Sequence, residues 1–480
     1  MTELAISLLA VPVLWAIAEW RLGLLLCLAT AILQDPLRKL TPDQPVLFVV
    51  FVGVVFGAAC IGASIRGFQL NPNILFKRYQ HLTMPFSLLL LLIIVQAFNS
   101  YFRFDNLLIP LIGLLTYVLP FPSIVFAYQL VFRQGEFRIN QFMKWYIVCI
   151  SLVLTTVYLQ FAGYDWPVFG QVGVVFIIFD QYTGLMVPAN SGLFRASEIA
   201  AWHAMTAACF VMLMTLRRTN FTQLLTAVII VGVLIGIGTL TGRRKTVIEF
   251  AVFISTYFIL WMIFEKRVGK LAISGLTTAT LAGYAVLTGQ LRDGIPGQVD
   301  VGSVDYSVYV ERSQAVFQEA PTRFVELGIA PIMWAYDSFG IFGAGLGVGA
   351  QGTQHFGGEG QGAAEGGLGK ITLELGIPGL FVMGWFAIVV FRQLWRVMRA
   401  ASRHSLRMGR LSFGLFSFLV ANVAGFSVAT QAYGDLSILL ILSWTLGFLF
   451  AVPVLVEREV RAREPKIFEG HDLKFRPMTV

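Results

Sequence analysis

Three adjacent cations, Arg243, Arg244 and Lys245, are the most chemically suggestive residues of this chain. They follow Thr241-Gly242 and lie between two long apolar runs. Arginine guanidinium groups form paired hydrogen bonds with phosphate oxygens, and a lysine ammonium adds a further positive charge. The cluster therefore predicts a site that binds an anion and stabilises the negative charge that develops on a phosphate leaving group.

Two single cations extend this prediction. Arg195 comes shortly before one apolar run, and Lys370 comes directly before a later one. On the same membrane face as Arg243, both would supply further contacts to phosphate oxygens. Simpler interpretations exist: Arg195 could pair with Glu198 at a helix start, and the 241–245 turn could contact anionic lipid headgroups.

The elements that must position these residues are membrane helices. Hydrophobic residues make up 57% of the 480 residues and charged residues only 13%, with a mean hydropathy of +0.75, far outside a soluble composition. The net charge of +8 implies no nucleic-acid partner, because most of the excess basic charge lies in short loops and the tail. The four cysteines lie inside apolar runs without metal-ligand or CxxC spacing, so neither a metal nor a disulfide is predicted.

Apolar runs near the length of a spanning helix, about 20 residues, recur along the chain. Residues 3–34 add two shorter runs, broken by Glu19, Trp20 and Arg21, which are two short spans or a tight helical hairpin. No basic segment precedes the first run, so no removable signal peptide is predicted. We expect an all-α polytopic membrane protein with about 12 transmembrane helices (11 to 13). The clear runs are 46–65, 84–98, 107–131, 142–161, 198–216, 221–241, 246–264, 270–289, 371–392, 411–429 and 435–455.

Short loops rich in Lys and Arg are cytoplasmic by the positive-inside rule. The loop 392–410 holds six arginines and sets the orientation, and the other basic loops alternate onto its side. The outer side receives 162–197, 242–245, 290–370 and 430–435, and among these only 242–245 is a dense cationic cluster. These loops predict a multi-pass membrane protein with a cytoplasmic C-terminus.

One long outer loop divides the chain. We expect a transmembrane region over 1–289, an extracytoplasmic loop over 290–370, C-terminal transmembrane helices over 371–456 and a cytoplasmic tail over 457–480. The loop alternates charged and apolar residues from Ser303 to Trp334, which predicts one or two amphipathic helices over the outer surface. Its second half, 343–369, is rich in glycine, which allows close approach of backbone to a ligand; we expect a flexible segment that closes over a bound substrate. Residues 162–197, broken by Gly and Pro, predict an outer loop with an interfacial or re-entrant segment.

The chain resembles the O-antigen ligase and O-antigen polymerase group of bacterial envelope glycosyltransferases. The resemblance rests on FGAGLG at 342–347, followed after a polar stretch by ELGIPGL at 374–380, which opens a membrane helix. The order of features supports it: an outer arginine in SGLFR at 191–195, the TGRR turn at 241–244 and a long outer loop late in the chain. It covers roughly 190–395.

The resemblance implies a metal-independent enzyme without a cofactor, in a membrane fold of the GT-C type. Its substrates would be undecaprenyl-pyrophosphate-linked glycans at the outer face of the plasma membrane, both as donor and as acceptor, with membrane lipids and other polysaccharide assembly proteins as further partners. The cations named above would then bind the pyrophosphate of the donor, whose departure requires stabilisation of negative charge. Backside attack by an acceptor hydroxyl would invert the anomeric configuration.

The general base is where this chain departs from the family. Its members usually place a His-Asn pair about eleven residues before the glycine of the helix start, where this chain has Glu365-Gly366. A carboxylate can replace an imidazole as general base if its pKa suits. Glu365 is therefore the favoured candidate, with His355 as the alternative and a solvated loop acid as the simpler interpretation of Glu365.

Other functions stay open at this point. Within the enzyme class, a polymerase is preferred over a lipopolysaccharide O-antigen ligase because the His-Asn pair is missing. A transporter or flippase of the same pathway would be expected to show internal repeats, broken helices and ionisable residues near the midplane, and the spans carry few interior charges apart from Glu249. A non-catalytic scaffold of an assembly complex is the third possibility.

Overall fold

The structure is a computed structural model of the whole chain. It describes residues 2–68, 70–172, 177–179, 186–217, 221–265, 306, 308–310, 312–313, 322–350 and 365–463. The predicted span 270–289 and the candidate base His355 lie outside the described residues.

The fold is all-α, as predicted. In the described part of the chain, eleven helical segments are long and apolar enough to span a membrane, so this is a multi-pass membrane protein. Two short antiparallel strands, β1 (Ile177–Phe179) and β2 (Met186–Pro188), form a hairpin that the sequence did not predict. The helices are α1 (Thr2–Ala18), α2 (Gly23–Leu40), α3 (Phe51–Ile65), α4 (Pro72–Arg78), α5 (Thr83–Phe104), α6 (Leu108–Val118), α7 (Pro120–Gln134), α8 (Phe137–Phe161), α9 (Ser197–Leu216), α10 (Phe221–Leu240), α11 (Lys245–Phe264), α12 (Ala330–Phe339), α13 (Gly367–His404), α14 (Leu406–Val428) and α15 (Leu436–Arg463).

The core of the bundle lies around α9 and α15. In their most apolar windows, 89% of the α9 residues and 83% of the α15 residues are buried, against 22% for α11. Such burial means that other helices surround α9 and α15, whereas the outer helices turn apolar side chains such as Leu91, Ile229 and Phe381 outward, as lipid contact requires. The two helices therefore fix the positions of whatever attaches to their ends.

The loops gather at two ends of the bundle. At the end that we call the Arg407 end, Arg407 pairs with Glu136 at 2.9 Å and Arg78 pairs with Glu457 at 2.5 Å. At the end that we call the Arg195 end, Arg195 pairs with Asp435, and the amide of Thr430 donates to the carbonyl of Glu365 at 2.7 Å. This grouping agrees with the alternation that the basic loops predicted. Which end faces the cytoplasm stays a prediction.

The N-terminal region resolves one ambiguity and adds adjacent cations to the Arg195 end. Residues 2–40 form a helical hairpin, α1 and α2, that turns around Glu19. The hairpin brings Arg38 and Lys39 to the Arg195 end, where Lys39 contacts Gly192 and Phe194. Adjacent cations at this end are therefore found outside the 242–245 turn as well.

The long helix α13 is broken at Gly376, which has a φ of +72° before Pro378. The break frees backbone hydrogen-bonding groups, and the preceding loop satisfies them: the Ala344 amide donates to the Leu373 carbonyl at 2.7 Å, and the Ile377 amide donates to the Ile341 carbonyl at 2.9 Å. This loop and the helix break form one interlocked unit.

The glycine-rich loop is packed rather than flexible where the structure describes it. Residues 343–348 are buried, and Gly343, Gly345 and Gly347 all have positive φ. A Cβ atom at Gly345 would lie 2.6 Å from the backbone nitrogen of Ser100, so only glycine fits there. The expectation of a flexible closing segment is wrong for 343–350, and 351–364 lie outside the described residues. Of the amphipathic helices expected over 303–334, the described residues show helical turns near 308–313 and a helical stretch over 322–339.

Candidate functional site

Arg195 is the centre of a buried ion-pair cluster at the Arg195 end. Its Nη1 lies 2.5 Å from Oδ2 of Asp435 and 3.4 Å from Oδ1 of Asp35, and its backbone amide donates to Asp35 Oδ2 at 3.0 Å. Burial alone would lower the pKa of Arg195, but Asp435 and Asp35 outweigh it and raise that pKa. Two carboxylates thus engage one guanidinium, and Glu198, the partner considered from the sequence, pairs with Arg243 instead.

Asp435 has a second function in this cluster. Its Oδ1 accepts hydrogen bonds from the amides of Ser437 at 2.7 Å and Ile438 at 3.1 Å, which caps the N-terminus of α15. Burial acts to raise the pKa of Asp435, but Arg195, the Ser437 hydroxyl and the Ile438 amide are among the groups that lower it overall. We call Arg195, Asp35 and Asp435 the Arg195 clamp, because the three residues tie α2, the loop before α9 and the start of α15 together.

Lys39 is a further cation at this end, and it binds backbone carbonyl groups. Its Nζ donates to the carbonyl oxygens of Val168 at 3.0 Å, Gly192 at 2.8 Å and Phe194 at 2.7 Å. An ammonium group has three protons, so these three bonds use all of them. Lys39 therefore holds Val168, Gly192 and Phe194 against α2, a role that the sequence did not indicate.

The 241–245 turn is shaped by glycine and by the β-hairpin. Gly242 has a φ of +72°, and a Cβ atom there would lie 2.9 Å from the Ile178 side chain. The Thr241 hydroxyl donates to the Gly238 carbonyl and accepts from the Arg243 amide at 3.3 Å. These contacts set the turn between α10 and α11 and fix where the three cations point.

Arg243 has polar partners on α9 and reaches the surface. Its Nε donates to the Ser197 hydroxyl at 3.0 Å, and its guanidinium forms an ion pair with Glu198. Its side chain is 21% exposed, against 9% for Arg195. Burial lowers the pKa of Arg243 in spite of the opposing effects of Glu198 and Glu365. An exposed edge on an oriented guanidinium can meet an anion that arrives from outside.

Lys245 and Glu249 lie one helical turn apart on α11, and both end in buried atoms that have no hydrogen-bond partner within the described residues. These atoms are Lys245 Nζ and Glu249 Oε2. The other carboxylate oxygen of Glu249 lies 3.2 Å from the Tyr433 hydroxyl, and Gly425 leaves the space that this carboxylate fills. Unsatisfied buried charges are costly and mark functional sites in membrane proteins. The sequence showed Glu249 as an interior charge but not its neighbourhood.

The remaining predicted residues lie around this cluster. Glu365 is exposed and interacts electrostatically with Arg243. Arg244 is 6% exposed and precedes the first residue of α11. Lys370 is 7% exposed and packs against Gly349, and within the described residues its ammonium has no hydrogen bond or ion pair.

The fold thus separates the predicted residues into two groups. Arg243, Lys245 and Glu365 share one neighbourhood with Glu198 and Glu249. Arg195 lies at the same end but is engaged by its two carboxylates. A further buried residue at this end is Arg312, which follows Tyr309, whose hydroxyl bonds to Asn190 and Pro188. No local sequence pattern marks Arg312, so the sequence did not predict a role for this residue.

We call Arg243, Lys245, Glu198, Glu249 and Glu365 the Arg243 cluster. Its positive groups can bind an anion, and its carboxylates can accept a proton from a hydroxyl group. No protein-family model matches the chain, and no curated protein matches it either.

Proposed function

We propose that this protein is a membrane glycosyltransferase that polymerises undecaprenyl-pyrophosphate-linked oligosaccharide units at the outer face of the bacterial inner membrane, in O-antigen or exopolysaccharide synthesis. In this proposal the Arg195 end is the outer end and the C-terminus is cytoplasmic. The observation that carries the proposal is Arg243, which Ser197 and Glu198 hold in place and whose side chain stays 21% exposed at a membrane end.

In this proposal Arg243 meets the pyrophosphate of the donor. The bond between the anomeric carbon and the pyrophosphate oxygen breaks, and the electron pair leaves with the pyrophosphate. A guanidinium that is already oriented stabilises that charge without reorganising, which lowers the barrier. Arg244, Lys245 and Lys370 add positive charge, and Arg195 acts indirectly by fixing α9 and α15.

The second half of the reaction needs a base for the acceptor hydroxyl. Glu365 fits this role because it is exposed and lies within electrostatic reach of Arg243, so one sugar could contact both residues. His355 remains the alternative from the sequence. The acceptor proton passes to the base, and the acceptor oxygen bonds to the anomeric carbon with inversion.

Reconstitution tests the proposal directly. The full-length protein in vesicles receives undecaprenyl-pyrophosphate-linked oligosaccharides extracted from the source cells, and gel electrophoresis reports the product length. We expect long polymer and released undecaprenyl pyrophosphate. Absence of polymer, together with transport of the intact lipid-linked unit across the vesicle membrane, would contradict the proposal.

Variants of the two candidate bases refine this experiment. Glu365→Gln should lower the rate of polymerisation by about 100-fold or more if Glu365 is the base, whereas His355→Gln should leave it within about two-fold. The reverse result assigns the base to His355. Binding of undecaprenyl pyrophosphate, measured in detergent, should be unchanged in both variants.

The transporter alternative has one observation in its favour, since α13 is broken at Gly376 beside a fully buried carboxylate, Glu374. Broken helices with ionisable residues are typical of transporter substrate sites. Here, however, both oxygens of Glu374 are engaged, by the Tyr117 hydroxyl at 2.7 Å and by the Gly349 amide at 3.0 Å. These bonds give Glu374 a structural function, which favours the transferase. A ligase differs only in its acceptor, and adding lipid A core to the same vesicles distinguishes the two enzymes.

A further inference from the structure

One face of α13 changes from apolar to cationic along its length. Its members are three or four residues apart, which places them on the same side of an α-helix. The apolar members are Phe381, Trp385 and Ile388, with exposed fractions of 74%, 38% and 52%. The cationic members, Arg392, Arg396 and Arg399, are also exposed. We call this face the α13 stripe.

Several acids near the stripe are already engaged by residues outside it. The neighbouring Glu265 is fully engaged, because Arg410 contacts both of its oxygens and the Trp261 indole donates to one of them at 2.8 Å. Other acids at the Arg407 end are also paired: Glu19 with Arg66, Glu136 with Arg217 and Arg407, and Glu457 with Arg78.

Within the described residues, the three stripe arginines form no ion pair. Their one side-chain hydrogen bond to the protein joins Arg396 to the Gln393 side chain at 3.5 Å. Three cations at this spacing repel each other unless an anion lies between them. An external anion placed among them would relieve this repulsion.

Aromatic side chains mark the level at which the stripe changes character. Trp395 is half-buried against Phe264, with ring centroids 5.0 Å apart, and it stacks beside Phe391. Tryptophan is enriched at the depth of lipid headgroups. Phe391 and Trp395 line an open groove of about 400 Å³ together with the three arginines.

The length of the stripe matches one leaflet of a bilayer. At about 1.5 Å per residue, Phe381 and Arg392 are about 16 Å apart along the helix. Half of the hydrocarbon thickness of a bilayer is about 15 Å. An acyl chain that begins at the arginines would therefore reach the level of Phe381.

We propose that the α13 stripe is a binding site for one anionic phospholipid. Its phosphate lies among Arg392, Arg396 and Arg399, and an acyl chain follows the apolar members. Charge complementarity and the continuous apolar face select a lipid over a free phosphate, which would leave the apolar half unused. The site lies at the end opposite to the Arg243 cluster and does not depend on the glycosyltransferase proposal.

The test compares retention of phosphatidylglycerol and phosphatidylcholine by the full-length protein. Protein loaded with either lipid is washed in detergent, and native mass spectrometry counts the lipids that remain. The wild-type protein should retain one phosphatidylglycerol in preference to phosphatidylcholine. The triple variant Arg392→Gln, Arg396→Gln, Arg399→Gln should lose this preference by at least about ten-fold, since each basic residue near the surface strengthens the attraction to an anionic headgroup.

The matched control removes the same charge elsewhere at the Arg407 end. Arg21, Arg66 and Lys77 are exposed and lie on separate elements, so replacing all three by Gln should change retention by less than about two-fold. Equal loss in both triple variants would show diffuse attraction and overturn the site. Equal retention of both lipids by the wild-type protein would overturn it as well.

A single variant keeps the proposal testable if the triple variant misfolds. Ile388→Gln keeps every charge on an exposed position and should reduce retention by about three-fold, because it interrupts the apolar half. Unchanged retention in this variant contradicts the acyl-chain contact. Displacement of the lipid by millimolar inorganic phosphate, or its replacement by a protein that copurifies, would also overturn the proposal.

Discussion

The Arg195 clamp and the 241–245 turn lie at the same end of the molecule and use the same residue type in opposite ways. Arg195 is 9% exposed and faces two buried carboxylates, whereas Arg243 is 21% exposed and lies beside Glu198 and Ser197. The comparison shows that burial, rather than residue type, decides which arginine can meet a ligand. The first arginine holds helices together, and the second can bind an anion.

The first and largest effect concerns how much the Arg195 clamp stabilises the protein. Arg195→Gln leaves Asp35 and Asp435 buried without their cation, and loss of one partner of a buried ion pair costs about 3–5 kcal/mol. The unfolding midpoint in detergent, followed by intrinsic fluorescence, should fall sharply. Arg243→Gln is the matched control and should change stability by less than about 1 kcal/mol. An Arg195→Gln variant that is as stable as the wild-type protein would remove the distinction between the two arginines.

The second effect is the contribution of Arg243 to the proposed activity. Arg243→Ala should reduce the polymerisation rate by about 100-fold, as expected when one preorganised donor to a leaving group is lost. Arg243→Lys should recover part of the rate, because it keeps the charge but not the fork. Thermal unfolding should be nearly unchanged in both variants. Full activity of Arg243→Ala would move the anion site elsewhere.

The third prediction applies the contrast between tightly packed and accessible residues to the glycine-rich loop. Gly347 has a φ of +87° and lies against the backbone of Ile109, so Gly347→Ala introduces both strain and a clash. We expect a loss of about 2 kcal/mol in the free energy of unfolding. Gly340 is the matched control, since its φ is +74° but nothing lies within 4 Å of an added Cβ. Equal losses of stability in Gly347→Ala and Gly340→Ala would mean that the close packing around Gly347 adds nothing to the cost of the substitution.

The smallest effect is expected for an exposed pair at the Arg407 end. Arg66 and Glu19 are 3.8 Å apart, and their side chains are 49% and 39% exposed. Surface ion pairs contribute about 0–1 kcal/mol, so Arg66→Gln should leave the unfolding midpoint almost unchanged at physiological salt. A shift as large as that of Arg195→Gln would show that burial does not separate the two kinds of pair.

Much of the fold follows from the sequence because the bilayer acts on each segment locally. A run such as 198–216 is apolar enough to span by itself, and the structure has α9 there. The broken N-terminal run was ambiguous from 3 to 34, because Glu19 and Arg21 interrupt it and neither half has the full length of a span. Packing of α1 and α2 against α3 resolves it.

The site was predictable only in part. The 243–245 triplet was visible because three cations in a short turn are rare beside apolar runs. The partner of Arg195 was not, because Asp35 and Asp435 are far from it in the chain and several acids compete at that end. Lys39 was missed for the same reason, since its three acceptors are backbone carbonyls that carry no side-chain signal.

Sequence alone was enough to predict a multi-pass all-α membrane protein, the alternation of its loops between two ends and the position of the cationic turn. Hydrophobicity and charge are properties of short segments, so they can be read without a fold. The tertiary structure alone decided which cation is neutralised, which one stays accessible and that the loop at 343–350 is packed. Those outcomes depend on burial and on contacts between distant segments, which arise only when the helices pack together.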